Sequence, residues 1–120
     1  TVVFATFATE DYDNAAMGNL GVNNDRLTIT EAGLYLVSAS VLFASNGSSA
    51  GGRRMFINAS VFGDVARDSR IGSAAEIIEL AATAQVYMSV AGFIRVGVEQ
   101  TTLASVNIQN RSLTATKVAD

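Results

Sequence analysis

The chain contains no cysteine and no histidine among its 120 residues. Without cysteine there is no disulfide, no iron–sulfur ligation and no thiolate-bound zinc. Without histidine the usual general base and the commonest transition-metal ligand are both missing. Ser-His-Asp and Cys-His nucleophile arrangements therefore cannot be assembled. A Ser-Lys dyad would depend on Lys117, the single lysine, close to the C-terminus. Charge is sparse as well. Asp, Glu, Lys and Arg make up 16% of the chain against 49% hydrophobic residues. That is little charge for a monomer that must cover its own surface. The net charge of −3 offers nothing to attract a nucleic acid. No apolar run reaches the roughly 18 residues of a membrane-spanning helix, so no membrane insertion is expected.

What the sequence has instead is alternation. The stretch 33–43, Gly-Leu-Tyr-Leu-Val-Ser-Ala-Ser-Val-Leu-Phe, reads as one long strand. Its odd positions, Tyr35, Val37, Ala39, Val41 and Phe43, form one apolar face at period two. Its even positions, Leu34, Leu36, Ser38, Ser40 and Leu42, are also largely apolar. An antiparallel sheet normally turns one face to the core and the other to water. A strand apolar on both faces needs a second burial partner, and in a domain this small another copy of the chain is the natural one. Residues 1–9 carry the same two-faced pattern. Residues 25–30, 53–62 and 93–101 are one-faced, 65–71 reads as an edge strand blunted by Arg67, Asp68 and Arg70, and 83–90 and 112–118 complete the set. Segment 72–79 reads as a loop entering a strand, and 103–111 as a loop with room for a short strand around Val106 and Ile108. This predicts a single all-β domain over 1–120, a two-sheet antiparallel sandwich or jelly roll.

Residues able to carry chemistry are few. The carboxylate pairs Asp64/Asp68 and Glu76/Glu79 fall in turn or edge segments, where solvated charge is expected rather than the paired acids of a glycosidase. Glu10, Asp11, Asp13 and Asn14 offer oxygen ligands of the kind calcium takes. Their spacing lacks the glycine of a calcium loop, so a wet turn is expected and no metal or other cofactor is assigned. Asn46, Asn58 and Asn110 each open an Asn-x-Ser sequon, read as chance in an Asn/Ser-rich chain. Arg53-Arg54 follows a Gly-rich loop and is read as a strand-edge surface pair, with anion gripping as the sharper alternative.

At the level of motif, residues 27–43, LTITEAGLYLVSASVLF, resemble the central strand region of the C1q/tumour-necrosis-factor jelly roll. The family pattern is an apolar residue, five others, then Gly-x-Tyr-x-apolar, and Leu27, Gly33, Tyr35 and Val37 fill it. Residues 86–101, VYMSVAGFIRVGVEQT, are similar to the penultimate hairpin, with Ala91-Gly92 where the family has Gly-Asp. Residues 111–120, RSLTATKVAD, resemble the last strand of phage and bacterial fibre-tip members. The resemblance implies a C3 homotrimer whose inner sheet holds the first, central, 80s and last strands. It implies Phe4, Leu34, Leu36, Ser38 and Tyr87 at the trimer interface, with Tyr35, Val37, Ala39, Val41, Val86 and Met88 in the sandwich core. A monomer with its inner sheet covered by the N-terminal loop is the competing expectation.

The same connectivity sends the first strand out from a base, where an upstream stalk or fibre segment attaches, and gathers three loops at the far tip. Those loops supply the candidate ligand-binding residues Asn46, Ser48, Ser49, Arg53, Ser73, Glu76, Thr102, Asn107 and Asn110. Their Gly, Ser, Asn and Thr suit adaptable hydrogen bonding. The expectation is a non-enzymatic trimeric head of a virion fibre or spike, forming the C-terminal part of a longer chain at a virion surface or outside the cell. It would recognise a host-surface glycan or protein receptor. The alternative is an extracellular C1q- or cytokine-like ligand binding a protein receptor. A small β glycosidase is a third class.

Overall fold

The computed structural model describes residues 2–4, 25–44, 51–72, 77–100 and 108–120. Eight strands run in chain order: β1 (Val2–Phe4), β2 (Leu27–Thr28), β3 (Gly33–Phe43), β4 (Gly51–Ala59), β5 (Gly63–Gly72), β6 (Ile78–Met88), β7 (Phe93–Gln100) and β8 (Ile108–Ala119). They form two antiparallel sheets, β1-β7-β4-β5 with β2 also on β7, and β6-β3-β8. The long central stretch is the middle strand of the second sheet, paired over its whole length with β6 on one side and β8 on the other. Its odd positions, Tyr35 to Phe43, are all buried. They meet Met55, Ile57 and Ala59 from β4, Ile94, Val96 and Val98 from β7, and Ile78, Leu80, Val86 and Met88 from β6 in one core. Alternation on each strand thus fills the space between the sheets.

Two glycines are dictated by close approach. A Cβ on Gly33 would lie 2.6 Å from the carbonyl oxygen of Ala119, so β8 pairs there only because position 33 has no side chain. A Cβ on Gly97 would lie 2.3 Å from Cε2 and Cζ of Phe56, whose ring lies across β7 at that point. Gly97→Ala should therefore displace the Phe56 ring and destabilise the protein by about 1–3 kcal/mol, as overpacking does. A urea unfolding midpoint checks this, and an unchanged midpoint would mean the ring does not need that space.

Several strand limits differ from expectation. β4 stops at Ala59, and residues 60–62 form a turn in which Phe62 N–H donates to the Ala59 carbonyl at 3.1 Å. β6 begins at Ile78, because Ile78 and Leu80 extend the inward set that Ala82 was expected to begin. β8 begins at Ile108, where the sequence allows a short strand within the loop, and runs on without a break into the expected last strand. β5 is an edge strand of its sheet, as its charges predicted. Its Asp68 also reaches across to the neighbouring sheet, where Oδ2 accepts the Ala81 N–H at 3.1 Å and covers part of the β6 edge.

The first strand is the main correction. It does not join the sheet of β3, both of whose edges are taken by β6 and β8. It pairs with β7 instead, Val2 opposite Glu99 and Phe4 opposite Gly97. Phe4 accordingly lies on the outer face of the β1-β7-β4-β5 sheet, edge-on to Phe56 with ring centroids 6.3 Å apart. The Arg95 guanidinium covers the Phe4 ring at 3.6 Å from its centroid. Cover from within the chain, not from a partner copy, satisfies this aromatic, so Phe4 leaves the interface set. Strand direction is corrected too. β1 starts beside Glu99 and runs towards the base, so it does not leave the base as a stalk attachment would require.

Candidate recognition and self-association surfaces

The two sheets turn very different outer faces to solvent. On the β6-β3-β8 sheet the outward positions of β3 are Leu34, Leu36, Ser38, Ser40 and Leu42, alternating with the buried set. β6 adds exposed Ala81, Thr83, Gln85 and Tyr87, and β8 adds exposed Ser112, Thr114, Thr116 and Val118. Ser40 and Ser112 share a hydroxyl–hydroxyl hydrogen bond of 2.7 Å across β3 and β8. Among the described residues, Glu79, opposite Leu42, is the carboxylate of this face, at its far end. Leu34 pairs with Tyr87 and with Ala119. Leu36 (43% exposed), Tyr87 (52%) and Val118 (49%) gather around them. Leu34, Leu36, Ser38 and Tyr87 thus share one face, as expected of an interface set. Val118 lies on the same face and continues the even-numbered alternation of Ser112, Thr114 and Thr116.

The outer face of the other sheet is charged. Arg54 pairs with Glu99, and Arg67 with Asp64 at 3.9 Å. Arg95 Nε donates to Asn58 Oδ1 at 3.2 Å, and Asn58 Nδ2 donates to Asp64 at 3.1 Å. Arg26 stacks over Phe93 at 4.1 Å and binds Asp25 at 3.0 Å. The hydrogen bond from Arg26 holds the Asp25 carboxyl below its ordinary value.

The strand ends that flank 45–50, 73–76 and 101–107 converge. Phe43 pairs with both Ile78 and Ile108, Gly51 with Gly72, and Arg53 with Gln100. This is the far end from the turns 60–63 and 89–92, which meet where Ser60 N–H donates to Phe93 O at 3.0 Å. The candidate residues Asn46, Ser48, Ser49, Ser73, Glu76, Thr102 and Asn107 lie outside the described residues, as does the Glu10–Asn14 cluster. Two others are corrected. Arg53 has the parity of Met55 and Ile57, so its side chain enters the sandwich and is fully buried. It is no surface pair with Arg54 and is not available to a ligand. Asn110 is not in a tip loop. It sits in β8 opposite Leu42, its Oδ1 accepting the Arg111 N–H at 2.8 Å.

Among the described residues, the acid–base candidates do not converge. Asp64 faces outward beside Asn58, whereas Asp68 is turned to the β6 edge. Lys117 holds Asp120 at 2.7 Å and Glu31 at 3.9 Å. The hydrogen bond with Asp120 pushes the Lys117 ammonium up from its ordinary value, the opposite of what a general base needs.

No family model and no curated protein matches the sequence. Among solved structures, the crystal structure of murine APRIL at pH 5.0 aligns with a TM-score of 0.61 over 80% of this chain and 75% of that one, at 14% identity. So low an identity speaks for the fold and nothing further. Two antiparallel sheets in this order, with this structural likeness, show a jelly-roll sandwich fold similar to that of murine APRIL.

Proposed function

We propose that this chain is a non-enzymatic recognition head that self-associates as a C3 homotrimer through the outer face of the β6-β3-β8 sheet. One observation carries the reading: that face is nearly free of charge and exposes Leu36 and Tyr87, while the opposite outer face bears four arginines and three carboxylates (Arg26, Arg54, Arg67, Arg95; Asp25, Asp64, Glu99). Contiguous apolar surface on a small protein marks an interaction site. The Ser and Thr side chains beyond the Leu34–Tyr87 cluster are short, so copies can approach closely, and the hydroxyls of Ser40, Ser112 and Thr114 already have partners within the chain.

Recognition then falls to the end where β3 stops, because loops on a rigid scaffold are where binding sites concentrate. The leading assignment is the head of a fibre or spike at a virion surface, reading a glycan or protein on a host. The second is an extracellular ligand for a protein receptor, which the same fold fits as well. Replacing 45–50, 73–76 and 101–107 in turn by neutral Gly/Ser linkers should abolish adsorption to host cells or to a receptor panel. Replacing the turn at 60–63 should leave adsorption intact. Full adsorption after all three swaps, in a protein whose association state is unchanged, would remove this end from the binding function.

A further inference from the structure

The geometry points to a binding site for an acidic sugar on the outer face of the charged sheet, in a pocket lined by Arg54, Phe56, Asp64 and Arg67. The pocket has a structural cause. Gly97 has no side chain, so the Phe56 ring leans across β7 and meets Phe4 edge-on. Leaning that way, it opens a space of about 110 Å³ on its β5 side. That volume holds a carboxylate and the adjoining atoms of one sugar ring, not a whole drug-sized ligand.

The lining sets the ligand chemistry. Arg67 stands opposite Phe56 in the β4–β5 register, and Arg54 lies two residues along β4. Their side chains are 63% and 45% exposed; Arg67 lies 3.9 Å from Asp64 and Arg54 is paired with Glu99, so an incoming anion binds through the donors that these pairs leave over. Each Arg has five donors in a planar fork, more than one carboxylate uses. Asp64 is an acceptor held in place by Asn58. The site therefore asks for an anionic group towards the two arginines, a hydroxyl to donate to Asp64, and a C–H surface against the rim of Phe56. A uronic or sialic acid carries all three. Inorganic sulfate carries only the first, and a neutral hexose only the other two.

This inference deepens the recognition reading but places a ligand on the wall of the sandwich, on the sheet opposite the self-association face. It needs no trimer, so the two ideas fail separately. The test is a titration of the protein, followed by amide and arginine Nε resonances, with methyl glucuronide and the methyl glycoside of N-acetylneuraminic acid. Methyl glucoside and inorganic sulfate are the comparison ligands. Saturable millimolar binding is expected, with shifts centred on Arg54, Phe56, Asp64 and Arg67, and roughly tenfold weaker binding of the neutral sugar for loss of the charge-assisted contact. Arg67→Ala, on an exposed edge-strand position, should remove the binding while the urea midpoint and sedimentation stay as in wild type. No saturable shift with either acid, or undiminished binding by Arg67→Ala, would overturn the site. Sulfate binding as strong as the acidic sugars would overturn its assignment to a saccharide.

Discussion

Tyr35→Ala should cost about 3–5 kcal/mol of folding stability, the usual penalty for truncating a large core aromatic. Tyr35 is 1% exposed and lies in the middle strand of its sheet, between Val86 on β6 and Lys117 on β8. Its ring fills the core near the base, and its hydroxyl donates to the Glu31 carbonyl at 2.6 Å, tying down the turn that leads into β3. Truncation leaves a cavity under that turn and releases the carbonyl. Tyr35→Phe separates the two terms. It keeps the ring and loses only the hydrogen bond, for about 0.5–1.5 kcal/mol. Chemical denaturation at one fixed protein concentration measures both variants, since association adds a concentration-dependent term to apparent stability. A loss below about 1 kcal/mol for the alanine variant would be that of a surface change and would place Tyr35 outside the core.

The second large effect is on association. Leu36 has the opposite parity to Tyr35, and its side chain is 43% exposed on the outer face of the sheet. Leu36→Asp places a carboxylate where the proposed trimer brings three copies together. Burying such a charge without partners is costly, and like charges around one axis raise each other's pKa. A penalty of about 3 kcal/mol already weakens association roughly a hundredfold. The single chain should still fold, because at this position the carboxylate is half in water before any partner arrives. Dissociation with a retained β-sheet circular dichroism spectrum is therefore the expected outcome. A variant as associated and as heat-stable as wild type would mean that Leu36 faces no partner.

Part of this was legible from alternation. The two apolar faces of residues 33–43, with Tyr35 to Phe43 on one and Leu34, Leu36 and Ser38 on the other, follow from a period of two, and the edge position of residues 65–71 follows from their charges. Which face is inward, the core places of Val86 and Met88, the place of Tyr87 and the meeting of strand ends at one tip came with the family resemblance. What alternation cannot convey is which neighbour satisfies a residue. Phe4 looked like an interface residue because its strand is apolar on both faces. Phe56 and Arg95 of the same chain cover it. Arg53 looked like a surface charge because it is an arginine, yet its parity with Met55 puts it inside. The Phe56 pocket depends on an absent side chain at Gly97, three strands away in sequence and adjacent in the sheet. A turn-signal reading of glycine does not register such a packing role.

The central claim is that the outer face of the β6-β3-β8 sheet is covered by other copies of this chain. Sedimentation equilibrium at micromolar concentration, on wild type beside Leu36→Asp, tests it most directly. The account predicts a wild-type mass three times that of the chain and a mass near the single chain for the variant. A wild-type protein that sediments as a well-behaved monomer across that range would contradict it.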